Sequence, residues 1–191
     1  MKRLKDFIQL SSGSPQFRIT ESTAPTAPQY YFYGQQEMEN DLVGIEMNKE
    51  APKTICTFDE LNTLKEGDVL FSLISGRTTI VKRVHQGYLY TQNYVKLEPG
   101  DKIDSRYIVY LLNESEYIKK QWLMGLQGSA VLKYTVSQLR ELELPKLHTI
   151  KKQRIIGSVY FDQLRLQALK TRAADTEKML TIKKLKEVTI I

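Results

Sequence analysis

Between Thr149 and Lys186 the chain has no proline and one glycine, Gly157, while charged residues and strong helix formers dominate. In water such a stretch is expected to form a single helix of roughly ten turns. Alternating steps of four and three along it select Ile155, Val159, Asp162, Leu166, Leu169, Ala173, Thr176 and Leu180, of which six are apolar and Asp162 and Thr176 interrupt. A stripe this narrow suits a helical partner better than a globular core, so these eight residues are the expected dimer interface, in parallel or antiparallel pairing. Charge follows the same division. From Lys146 to Ile191 there are 11 Lys+Arg against 4 Asp+Glu, or +7, and subtracting these from the 28 and 22 of the whole chain leaves 17 against 18, or −1, for residues 1–145.

The remainder reads as one domain that mixes strands and helices. Residues 11–36 hold Ser11-Ser12-Gly13-Ser14-Pro15, two further prolines and the aromatic run Tyr30 to Tyr33, a loop with short extended pieces. Val69-Leu70-Phe71-Ser72-Leu73-Ile74 is an apolar, β-favouring run opened by the turn Lys65-Glu66-Gly67-Asp68 and closed by Ser75-Gly76, hence a buried strand. Thr78 to Val84 and Tyr88 to Leu97, separated by His85-Gln86-Gly87, are expected as successive antiparallel strands. Helical spacing starts after Asp104, a good N-cap, and places Ile108, Leu111, Leu112, Ser115, Ile118 and Trp122 near one face until Gly125 to Ser129 break it. Thr135-Val136-Ser137-Gln138 is a capping-box pattern for a short helix that ends at Leu144-Pro145. The expected fold is therefore α+β. A mixed or antiparallel β domain with packed helices spans 1–147, and one long coiled-coil helix follows over 148–191.

Several function classes lack the residues they need. No apolar run approaches the roughly 20 residues that span a bilayer, and the start lacks a signal-peptide pattern, so a cytoplasmic protein without membrane partners is expected. One cysteine, Cys56, and two histidines, His85 and His148, make neither an intramolecular disulfide nor a zinc set. Neither histidine lies in sequence beside a nucleophile turn or an acidic partner, and no phosphate-binding glycine loop is present. No catalytic residue, metal or cofactor is expected on this chain.

DNA recognition fits the residues better. Base edges are read by Arg and Lys at guanine and by Asn and Gln at adenine, while hydroxyls hold phosphates. Loop segments supply Ser12, Ser14, Gln16 and Arg18, then Gln35 and Gln36, then Arg77 and Thr78, then Gln92 and Asn93, and finally Ser129, Lys133 and Tyr134. Val69 to Leu97 also carries Arg77, Lys82, Arg83 and Lys96 without one acidic side chain, a local positive stretch in which Lys82 and Arg83 are candidates for phosphate contact. The competing reading is a coiled-coil adaptor whose head binds protein, for which the −1 head charge speaks.

In combination, several of these segments resemble a known family. Gly67-Asp68-Val69-Leu70-Phe71-Ser72, then Thr91-Gln92-Asn93-Tyr94-Val95, then Gly128-Ser129-Ala130-Val131-Leu132, then Leu139-Arg140-Glu141-Leu142-Glu143-Leu144-Pro145 and Lys152-Gln153-Arg154-Ile155 resemble the DNA-specificity subunit of type I restriction-modification systems. The sequence departs from the family at Lys152, where a glutamate is common. Members of that family usually carry two target-recognition domains and two long helices that pair, and this sequence covers one such unit. The resemblance implies double-stranded DNA, methyltransferase (M) subunits and restriction/translocase (R) subunits as partners. S-adenosylmethionine, ATP and Mg would then sit only on those partners. With one unit present, the unmatched stripe of the 150–186 helix predicts a homodimer that restores two-part recognition.

Overall fold

The computed structural model describes residues 2–46, 51–125 and 134–189. Its main sheet has four antiparallel strands in the order β1-β6-β4-β5, formed by β1 (Ile8–Ser12), β4 (Val69–Ser72), β5 (Thr78–Ile80) and β6 (Tyr94–Pro99). β4 lies inside and is buried at all four residues, as its unbroken apolar run requires of a strand covered on both faces. Val69 pairs with Ile80 on one side and Leu97 on the other, and Phe71 pairs with Thr78 and Val95. β2 (Gln29–Tyr31) and β3 (Thr54–Cys56) form a separate antiparallel pair.

Among the described residues five α-helices accompany the sheets: α1 (Gln35–Val43), α2 (Ser105–Glu114), α3 (Glu116–Gly125), α4 (Val136–Glu141) and α5 (Ile150–Thr189). Both caps expected from sequence form. The Asp104 carboxylate accepts from the backbone N–H groups of Arg106 and Tyr107 at 3.0 and 3.1 Å, and Thr135 and Gln138 close a reciprocal box. The main core lies between the sheet and the helices, with Phe71, Val95, Ile108, Ile118, Trp122 and Leu139 buried together.

Three expected elements come out differently. The helix expected to run from Asp104 to Trp122 is two helices, because Ser115 adopts an extended conformation (ψ 115°) and turns the chain. That bend lets Trp122 fold back and stack on Phe71, with ring centroids 5.7 Å apart. The expected strand Tyr88–Leu97 is a ladder only from Tyr94 onward. Before it the chain turns tightly over Gly13, whose N–H donates to the Tyr94 carbonyl at 3.1 Å; a Cβ on Gly13 would come within 2.4 Å of the Tyr90 and Thr91 carbonyl oxygens. The expected strand Thr78–Val84 stops at Ile80, and Arg83–His85 forms a 3-10 turn.

Helix α5 has 40 residues, about 60 Å of helix. Its first half lies on the head. Gln153, Gly157 and Ala168 are buried, and Ile156, Tyr160, Phe161 and Leu164 pack on the main core. Gly157 is needed for this approach: a Cβ there would lie 2.5 Å from the Arg106 Cβ and 2.8 Å from the Tyr107 backbone nitrogen. Gln153 is the clasp beside it. Its Oε1 accepts from the Asp104 N–H at 2.9 Å, and its Nε2 donates to the carbonyls of Lys102 and His148 at 3.1 and 2.8 Å. Beyond Ala168 every described residue of α5 is exposed.

Candidate nucleic-acid interface

At the end of the sheet where β4 turns into β5, polar side chains from distant segments meet. Gln16, from the first loop, lines one hollow with Phe17, Thr91, Gln92 and Asn93. An adjoining hollow shares Gln16, Thr91 and Asn93 and adds Gln35, Gln36, Lys53 and Ile74. The backbone holds them there: Ser14 N–H donates to the Tyr90 carbonyl at 3.2 Å, and Gln92 N–H donates to the Ser14 carbonyl at 3.1 Å. Gln16, Gln92 and Asn93 stand exposed. Gln35 is half-buried and turned inward, its amide donating to Ser72 Oγ at 2.7 Å and to the Tyr94 hydroxyl at 3.0 Å. It positions the start of α1 and so sets where Gln36 stands. Burial pushes the Tyr94 phenol up to about 12, partly offset by that hydrogen bond, so the hydroxyl is neutral near pH 7.

Other candidates lie around this group. Ser12 ends β1 and is exposed, Ser14 is half-buried, and the Arg18 guanidinium sits 5.7 Å from the Phe17 ring centroid. Arg77 is exposed at the foot of the β4–β5 turn. Tyr134 is half-buried, its ring closing over Gly76 and lying edge-on to Phe71 and Trp122 at 5.9 and 5.0 Å. Ser129 and Lys133 lie outside the described residues.

Thr78 leaves the candidate surface. It is wholly buried, and Asn113 brackets its backbone, accepting from its N–H at 2.8 Å and donating to its carbonyl at 2.9 Å. A strand residue facing α2 has no route to a ligand. The basic stretch 69–97 also divides, because Lys82 and Arg83 follow β5 at the other end of the hairpin from Arg77. There they line a groove with Arg106, Phe161 and Arg165, and Lys82 Nζ lies 5.5 Å from the Phe161 ring centroid.

The sequence gives no sign of a buried network that supports α1. Asp41 accepts from the Tyr33 hydroxyl at 2.8 Å, and its other oxygen lies 2.8 Å from His85 Nδ1. His85 thus has an acidic partner from an element 44 residues away. Burial, with the Asp41 charge, raises the Tyr33 phenol well above its ordinary value. The trio ties α1 to the segment before it and to the 3-10 turn Arg83–His85. Among the described residues no group of His, Cys, Asp and Glu could hold a metal ion, and no helix is long and apolar enough to cross a membrane.

The eight stripe residues of α5 are all exposed. Counting 100° per residue, they centre on a direction roughly 170° from that of Gln153, Gly157, Tyr160, Leu164 and Ala168. The helix thus has two opposed faces, one used by its own head and one free in the single chain.

No protein-family model matches the chain, and no curated protein does. Solved structures do. The HsdS subunit from Thermoanaerobacter tengcongensis aligns over 98% of this chain and 42% of its own, at 20% identity and a TM-score of 0.59. A chain from a type I R-M system, solved for its complex assembly and conformational transition, aligns over 97% of this chain and 43% of its own, at 19% identity and a TM-score of 0.60. The fold is therefore the HsdS-like α+β fold with its long C-terminal helix, and the chain spans about two fifths of the length of those relatives.

Proposed function

We propose that this chain, which has the HsdS fold, is a DNA-specificity module of a type I restriction-modification system, one recognition head on a helical spacer. The observation that carries the reading is the convergence of Gln16, Gln92 and Asn93, with Gln36 alongside, on one exposed surface. Planar amides can pair with base edges in two-point fashion, and Asn or Gln to adenine is the favoured match. Arg18 beside them serves phosphates, as do Ser12 and Ser14, and Arg77, whose charge reaches Tyr160 of α5, does so from the flank.

Recognition of a two-part site needs a second head, and the free face of α5 provides for it. Antiparallel pairing about the midpoint between Leu166 and Leu169 sets Ile155 against Leu180, Val159 against Thr176 and Asp162 against Ala173. The two heads then stand at opposite ends and read a two-fold symmetric, interrupted site. Chemistry belongs to partners in this reading. M subunits, which bind S-adenosylmethionine, and R subunits, which use ATP and Mg, dock on the module in the cytoplasm, and the chain itself catalyses nothing.

Selection of duplexes from a random pool by the purified chain, with and without its M subunit, tests this. An enriched motif whose binding weakens steeply with salt is expected. Failure to enrich any motif, at low salt and with the M subunit present, would remove the reading and leave a protein-binding adaptor.

A further inference from the structure

The polar surface is bracketed by two large apolar side chains that stand exposed among the described residues. Phe17 is 78% exposed at one edge and Ile74 is 56% exposed at the other, and the Gln16, Thr91 and Asn93 shared by the two hollows lie between them. Both sit on short, well-tied backbone. Phe17 belongs to the 3-10 turn Gln16–Arg18, closed by Arg18 N–H to the Pro15 carbonyl at 3.0 Å. Ile74 sits in the β4–β5 turn, where its N–H and that of Ser75 donate to Ser72 Oγ at 3.2 and 3.1 Å. The chain therefore holds two bulky apolar groups out in water at fixed positions, beside the residues suited to read bases.

We propose that Phe17, with Ile74 across the same surface, is an apolar wedge that enters the bound duplex and unstacks a base step. The inference rests on the DNA-reading function above and adds a distortion to it. Exposed Phe and Ile side chains that insert between base steps bend and open DNA, and the sequence that opens most easily is then preferred at positions no side chain hydrogen-bonds. Uncharged amides flank the wedge, and the carboxylate that lines the same hollow, Glu37, is buried and accepts from the Gly34 N–H at 2.8 Å. Arg18, over the Phe17 ring at 5.7 Å, brings a cation to the flanking phosphate. A protein partner is the alternative occupant, and the test separates it.

The test uses the duplex recovered from the random pool, with 2-aminopurine placed in turn at each adenine and, by base-pair substitution, at the remaining positions. At saturating protein, fluorescence should rise severalfold at one or two adjacent positions and nowhere else. Phe17→Ala should remove that rise and weaken binding about tenfold, in line with the loss of one base–aromatic stack. Phe17→Leu, which keeps an apolar wedge, should retain part of the rise, and Ile74→Ala should reduce it. Circular dichroism should show all three variants folded, since both side chains are exposed. A wild-type complex in which no position brightens, or a Phe17→Ala complex that brightens as the wild type does, overturns the wedge while leaving the DNA-reading function standing. A Phe17→Ala chain that binds no duplex at all also overturns it, because the amide surface should bind without the wedge. If the pool yields no motif, the DNA-reading function itself has failed and the wedge falls with it.

Discussion

The two halves of helix α5 differ in both residues and circumstances. Up to Ala168 the helix is locked to the head by Gln153, Gly157, Tyr160 and Phe161, whereas from Leu169 onward every described side chain meets solvent. Isolated helices owe little stability to propensity alone, so the first half supplies the anchor from which the second can extend. The proposed function divides along the same line: in it the head and the anchored half are the reader, and the exposed stripe sets the distance to a second one.

Disturbing the anchor should have the largest effect. Gly157→Leu puts a side chain where the Arg106 and Tyr107 backbone already stands, and should cost about 3 kcal/mol. Calorimetry should then record a melting temperature roughly 6–12 °C lower; an unchanged midpoint would show that α5 does not sit on α2. Gln153→Leu removes three hydrogen bonds from the joint, and urea unfolding should show a loss of about 2 kcal/mol. Asp41→Ala strands Tyr33 and His85, at a cost of a similar ~2 kcal/mol, and should loosen α1 enough to weaken DNA binding through Gln36.

On the exposed face of α5 the expectation reverses. Leu166→Lys with Leu169→Lys should leave head stability within about 0.5 kcal/mol of wild type, yet sedimentation should convert a dimer to a monomer. A wild-type monomer at micromolar concentration would remove the pairing altogether. The smallest effect concerns pH. Hydrogen bonding from Lys5, with Arg3 alongside, holds the Glu141 carboxyl below its ordinary value. That tie between the N-terminal segment and α4 is present above the ordinary carboxylate range and is lost as pH falls through the lowered folded value. An NMR titration should find the Glu141 midpoint below those of other exposed glutamates.

Local signals were the legible ones. The proline-free run, the Asp104 cap, the Thr135–Gln138 box and the unbroken apolar run of β4 each declare themselves within a few residues, and each forms. The anchored face of α5 escaped because Gln153 and Gly157 open it, and its apolar members Ile156, Phe161, Leu164 and Ala168 fall outside the single stripe that steps of four and three select. Thr78 reads in sequence as the last residue of the turn that holds Arg77, whereas it is the first residue of β5 and is wholly buried. His85 and Asp41 are 44 residues apart, so only tertiary structure could join them. The candidate site was legible as a menu: Gln16, Gln92 and Asn93 were all noted, but their meeting depends on the turn over Gly13. Phe17 and Ile74 could not be distinguished from core residues by type.

The division between reader and spacer is tested most directly by selecting duplexes from one random pool with the intact chain and with the Leu166→Lys, Leu169→Lys chain. The intact chain should recover two inverted half-sites at a fixed separation, and the variant a single half-site of the same sequence with weaker binding. A variant that recovers the same split motif at the same spacing would contradict the role assigned to the helix, and an intact chain that recovers no motif would contradict the role assigned to the head.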